Sequence, residues 1–92
     1  MRAKRTDANH KMIMNQCRKL GMSVFSTHTL GKGFPDIVVG YKKINYLFEI
    51  KDGTKSKSAK KLTEDEVKFH TDWKGKVFVV ENFDDILKIV LS

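Results

Sequence analysis

Apolar positions recur along this chain with two periods, and the places where the period changes mark out its elements. From residue 8 to 20 the spacing predicts a helix through Met12, Ile13, Gln16, Cys17 and Leu20, with Asp7 or Asn9 as its cap and Gly21 as its stop. Ser23 to His28 alternates as a strand, and the apolar runs Asp36 to Tyr41 and Ile44 to Lys51 flank a short polar turn as a hairpin. Thr63-Glu64-Asp65-Glu66 forms a capping box that opens a helix to about Trp73, with Val67, Phe69 or His70, and Trp73 turned inward. Val77 to Glu81 is a fourth strand, and Phe83 to Leu91 is an amphipathic helix carried by Phe83, Ile86, Leu87, Val90 and Leu91. The order α-β-β-β-α-β-α predicts a single α/β domain over residues 1–92, a mixed sheet of about four strands flanked by helices. A strand reached through a helix implies at least one parallel pairing.

The hairpin strands hold charges where a core strand should have none: Asp36 in Phe34-Pro35-Asp36-Ile37-Val38-Val39, and Glu49 and Lys51 in Tyr46-Leu47-Phe48-Glu49-Ile50-Lys51. Burying an unpaired carboxylate costs several kcal/mol or more, so these groups are expected to be used together. If Lys42 and Lys43 are a two-residue loop, Tyr41 faces Ile44 and Asp36 lies opposite Glu49; if residues 42–45 are the loop, Asp36 faces Lys51 and Val38 faces Glu49. Either register places Asp36, Glu49 and Lys51 on one face, since paired residues share a face and side chains alternate. Two neighbouring carboxylates repel unless a cation lies between them, and oxygen ligands suit Mg²⁺ or Mn²⁺ better than zinc.

Charge adds a substrate class. The net charge is +7, but residues 1–61 carry +10 and residues 62–92 carry −3, so the basic half is the half with the acidic cluster. A polyanion such as DNA or RNA would be steered there. Residues 52–61 form a loop with Lys55, Lys57, Lys60 and Lys61 on small flexible residues, suited to a phosphate backbone. Lys32 between two glycines is a second such loop. One cysteine, Cys17, excludes an internal disulfide, fits a reducing cytoplasm and reads as a core residue. No apolar run is long enough to cross a membrane, and no hydrophobic segment follows the basic start, so a soluble cytoplasmic protein of a bacterial or phage-infected cell is expected. His10, His28 and His70 share no ligand spacing, which speaks against zinc; His70 belongs to a helix face and His28 is a candidate phosphate contact. Trp73 and Tyr41 are candidates for stacking on bases, though a tryptophan on an inner helix face is first of all core.

The pair Pro35-Asp36 followed by Glu49-Ile50-Lys51 resembles the PD-(D/E)xK nuclease superfamily. With its flanks Gly31-Lys32-Gly33-Phe34, Asp52-Gly53 and Leu62-Thr63-Glu64-Asp65-Glu66, the chain is similar to the small stand-alone VRR-NUC domains of phage and bacteria, over nearly its whole length. The resemblance implies a restriction-endonuclease-like sheet and a Mg²⁺- or Mn²⁺-dependent DNA endonuclease leaving 5′-phosphate ends. It implies Asp36, Glu49 and Lys51 as the catalytic residues, with Asp36, Glu49 and the backbone carbonyl of Ile50 holding the metal. It also implies selectivity for branched DNA, as in Holliday-junction resolvases, and a homodimer, which a chain this small would also gain from in stability. Glu66 matches a position that orients the site, and its place in the capping box accounts for it equally well. One departure matters: many relatives carry an acid on the first helix three positions after the residue matching Asn9, and here that position is Met12. Asp7, first of all a cap, is then a candidate to reach the metal instead. The alternatives are a nucleic-acid-binding module with an inactive nuclease site, or a structural domain whose charges form an ion-pair network.

Overall fold

The structure, a computed structural model, describes residues 8–92. Asp7, read as a cap and a candidate metal ligand, lies outside the described residues. The elements run α1 (Ala8–Lys19), β1 (Ser23–Ser26), β2 (Ile37–Tyr41), β3 (Ile44–Ile50), α2 (Glu64–Asp72), β4 (Val77–Val80) and α3 (Phe83–Val90). The sheet order is β1-β2-β3-β4, with antiparallel pairs along the first three strands and a parallel pair between β3 and β4. Fold class and element order are those the sequence predicts.

The hairpin settles the register. Tyr41 pairs with Ile44 and Ile37 with Phe48, so Lys42 and Lys43 are a two-residue loop. Both lysines lie in the left-handed region, φ 51° and 70°, the type I′ geometry whose twist matches the strands it joins. A side chain with a Cβ pays about 1–2 kcal/mol for that conformation. The Lys42 ammonium lies 5.5 Å from the Tyr41 ring centroid, a cation–π contact that offsets part of the cost.

Alternation along the strands separates a structural face from a chemical one. Val24, Ile37, Val39, Tyr46, Phe48, Ile50 and Val80 turn to one side and form a single core with Ile13, Met14 and Cys17 of α1 and Ile86 and Val90 of α3. Full burial of a side chain such as Phe48, Ile13 or Ile86 contributes about 1.5–3 kcal/mol. The buried stripe of α1 is therefore His10, Ile13, Met14 and Cys17, at helical spacings of three and four. Met12 and Leu20, read from the sequence as part of that stripe, are exposed, and Leu91 is exposed beyond the end of α3. The helix α1 closes as the sequence implies: Met22 N–H donates to Cys17 O (3.1 Å) and Gly21 N–H to Arg18 O (3.0 Å), with Gly21 at φ 86°.

The helix α2 departs further from expectation. Its capping box forms, Glu66 N–H donating to Thr63 Oγ1 (3.2 Å) and Thr63 N–H to Glu66 Oε1 (3.0 Å), yet none of its residues is buried. Val67 and Trp73, expected to face inward, are 49% and 44% exposed. The reason is the seat of the helix. Its first turn rests on the backbone of Gly33, where a Cβ would collide with the carbonyl of Asp65 and come within 2.8 Å of Glu66 N, so α2 is held at the loop before β2 and not over the apolar core.

Candidate functional site

A cleft of about 340 Å³ opens where β3 ends, and it gathers His10 from α1, Asp36 from the start of β2, Glu49 and Lys51, Lys55 from the following loop, and Glu66 from α2. The local cause is an interruption of the ladder. Asp36 N–H donates to Phe48 O (2.9 Å), although Phe48 already pairs with Ile37, so two residues of one strand oppose one of the other, as in a β-bulge. The next donor on β3, Ile50 N–H, is then met by the carboxylate Oδ2 of Asp36 at 2.7 Å. Pro35 O, which a continued strand would offer, accepts instead from the Thr27 hydroxyl (2.7 Å). A side-chain carboxylate thus takes the place of a backbone carbonyl at the edge of the sheet.

That substitution separates two replacements of Asp36. Asp36→Ala leaves Ile50 N–H buried without a partner and is expected to cost about 1–3 kcal/mol in chemical denaturation, whereas Asp36→Asn keeps an acceptor oxygen and is expected to cost under about 1 kcal/mol.

Glu49 is 3% exposed, and its Oε1 has no hydrogen-bond partner. Burial above all, then the Asp36 charge, a hydrogen bond with Asp36 and the Glu66 charge push its pKa up to about 9, against the pull of Lys51. The Lys51 ammonium lies 2.9 Å from Glu66 Oε1 and 3.6 Å from Glu49 Oε2. Burial works to lower its pKa, but the Glu66 hydrogen bond and the charges of Glu49, Glu66 and Asp36 outweigh it and hold the amine above its ordinary value. It is a fixed cation and not a base near neutral pH. Glu66 loses by burial and gains more from Thr63 N–H and Lys51, so its carboxyl stays below the usual range. Its capping role and its contact with Lys51 are one arrangement, served by a single oxygen.

The structure brings Asp36, Glu49, Ile50 and Lys51 together as the sequence implies, with Glu66 beside them. The basic loop is divided: Lys55 lines the cleft, Lys60 reaches Glu81 at 3.1 Å, and Lys57 and Lys61 are exposed. Lys32 lies apart from the cleft, against the other flank of α2. The histidines are the main addition. His10 Nε2 stands 3.9 Å from Asp36 Oδ2, and its ring meets that of His28 edge-on at 6.4 Å. His28 is buried there, which removes it from the mouth of the site as a phosphate contact. Met12 is 55% exposed and points elsewhere, so α1 presents His10 to the cleft where the resemblance placed an acid. The sequence held a signal for this: His10 is the polar member of the stripe it shares with Ile13, Met14 and Cys17.

Among the described residues no group of three or more His, Cys, Asp or Glu side chains is arranged to hold a metal. What the site offers is a two-carboxylate set, and an orphaned buried oxygen next to a second carboxylate fits a hard divalent cation that keeps several of its waters. No helix among the described residues is long and apolar enough to cross a membrane. No family model matches the chain, and neither a curated protein nor a solved structure does.

Proposed function

We propose that the chain is a divalent-metal-dependent nuclease of the PD-(D/E)xK kind, acting on DNA as the VRR-NUC resemblance implies. The observation that carries this reading is the convergence of Asp36, Glu49 and Lys51 at the end of β3, with Glu49 Oε1 buried and unmatched. Asp36, Glu49 and the Ile50 carbonyl would hold Mg²⁺ or Mn²⁺. The bound ion would supply charge on the scissile phosphate and a more acidic water.

The chain's own groups do the rest. Asp36 is fixed by Ile50 N–H, which sets the direction of its free oxygen. Lys51, kept protonated and anchored by Glu66, offers a cation to the charge that develops on the phosphate in the transition state. Lys55 at the cleft wall and the exposed Lys57 and Lys61 attract the strand. Branched DNA and a two-fold homodimer belong to the same proposal, a pair of sites being suited to a two-fold junction. The competing reading, a binding module without catalysis, draws on the exposed Met12 at the position where relatives carry an acid.

The test is cleavage of labelled four-way junction, nicked, linear and single-stranded DNA with Mg²⁺, Mn²⁺ or EDTA. Metal-dependent cutting that falls at least about 10²-fold in Lys51→Ala is the expected result. Binding of the same DNAs without cutting in either metal would overturn the nuclease and leave the binding module.

A further inference from the structure

On the flank of α2 opposite Lys51 lies a second cavity, of about 450 Å³, lined by Lys32, Asp65, Lys68, Phe69, Asp72 and Trp73. Lys68, Phe69 and Asp72 of α2 fall three, four and seven positions after Asp65, a single helix face, and Trp73 caps the helix beside them. The wall is aromatic. Phe69 and Trp73 stack at 5.0 Å and 18°, and Phe34 meets them edge-on at 5.1 and 6.3 Å. The cluster stands outside the hydrophobic core, and Trp73 is nearly half exposed. An exposed aromatic slot that contributes little to the core is the kind of surface on which planar rings stack.

The rim selects among planar rings. Lys32 and Lys68 offer cations to a phosphate, while Asp65 and Asp72 offer oxygens to ring and exocyclic N–H donors. Lys68 donates to Asp72 Oδ2 at 3.0 Å in an exposed ion pair one helix turn apart, which a phosphate at the rim would share. The cavity is in the roughly 300–1,000 Å³ range of small-ligand pockets. It is also joined to the cleft through adjacent residues of one helix turn: Asp65 lines the cavity, and Glu66 holds Lys51.

We infer that this cavity receives an unpaired base of the nucleic acid whose phosphate lies in the cleft, stacked on Trp73 beside Phe69, with Lys32 and Lys68 at its phosphate. The inference rests on the proposed nuclease reading and narrows its substrate to DNA with an unstacked base beside the cut, as at a junction, bulge or single strand. A base inside a continuous duplex has no free face to offer the slot.

Trp73 is the only tryptophan of the chain, so its fluorescence reports on the cavity alone. The protein in EDTA is titrated with single-stranded DNA, with continuous duplex, with duplex carrying one bulged base, and with the same duplex carrying an abasic bulge, binding being followed separately by anisotropy of a labelled strand. Saturable quenching by the single strand and the bulged base, absent with continuous duplex and abasic bulge, is the expected result. Trp73→Ala is expected to weaken the bulged-base complex about tenfold without changing duplex binding, and Trp73→Phe to restore most of it. Binding of the bulged DNA with no change in Trp73 emission overturns the inference. Cleavage with Mg²⁺ or Mn²⁺ is read in parallel. Cutting without quenching removes the base pocket and leaves the nuclease; quenching without cutting removes the nuclease and leaves the pocket.

Discussion

Glu49→Gln will make the metal-free protein more stable and, on the proposed nuclease reading, end cleavage of DNA. The carboxyl is buried beside Asp36 with one oxygen unmatched, and its pKa stands at about 9 in the fold against 4.5 in an unperturbed glutamate. At neutral pH the unfolded chain releases that proton and the folded chain keeps it, so folding carries the cost of uptake. The sign follows directly. Glu49 detracts nothing below pH 4.5, where both states are protonated, and detracts progressively as pH rises from there to about 9. A neutral glutamine, with Asp36 as an acceptor for its amide, removes this cost and is expected to gain about 1–2 kcal/mol at pH 7, allowing for water in the cleft. Thermal unfolding in EDTA between pH 4 and 9 checks it: the variant's advantage over wild type should vanish at the acid end and widen with pH. Under the proposed reading, in which Glu49 would hold the metal, cleavage in Mg²⁺ is expected to fall about 10³-fold or more. A variant less stable than wild type at pH 8 would show that Glu49 is satisfied by groups other than a metal.

Gly33→Ala will disable the site from a position that touches none of its carboxylates. The added Cβ would meet the carbonyl of Asp65 in the first turn of α2, and Gly33 has φ 78°, a conformation that alanine adopts only under strain. Backbone cannot swing aside as a flexible side chain does, so α2 must move and Glu66 with it, loosening Lys51. A loss of about 2–4 kcal/mol is expected, strain and overpacking together. Gly31→Ala is the control. Gly31 has a similar φ of 75° but open space at the Cβ position, so it should cost only the backbone strain, about 1–2 kcal/mol, and leave cleavage close to wild type. Equal losses in the two variants would show that the seat of α2 matters no more than the turn.

The pairing pattern and the cleft were legible to different depths. Alternation and the short turn after Tyr41 fix which face each hairpin side chain takes but leave two registers open, and the observed pairs of Tyr41 with Ile44 and Ile37 with Phe48 are those of the two-residue loop. The bulge at Asp36 does not follow, because it depends on Pro35 O being taken by the Thr27 hydroxyl, a contact between residues eight apart. The face of α2 differs from the expected one for a related reason. Val67, Phe69 or His70, and Trp73 read as an inner face, but Gly33 seats the helix beside the sheet's end, where Val67 and Trp73 meet solvent and Phe69 and Trp73 meet Phe34. His10 has no ligand spacing to the other histidines, and its neighbours on the helix stripe, Ile13, Met14 and Cys17, are apolar. What His10 meets, Asp36 and His28, is decided by the fold.

The rung that Asp36 supplies also makes the sheet a gauge of its own site. Elsewhere on this edge of β3 the amides face carbonyls whose charge never changes; Ile50 N–H faces a carboxylate. Whatever alters the charge on Asp36, an arriving cation or the phosphate it brings, alters the strength of that bond. The Ile50 amide resonance, in the middle of the chain and free of any added label, should therefore move when the cleft fills, an indicator written into the backbone by the loss of one peptide carbonyl.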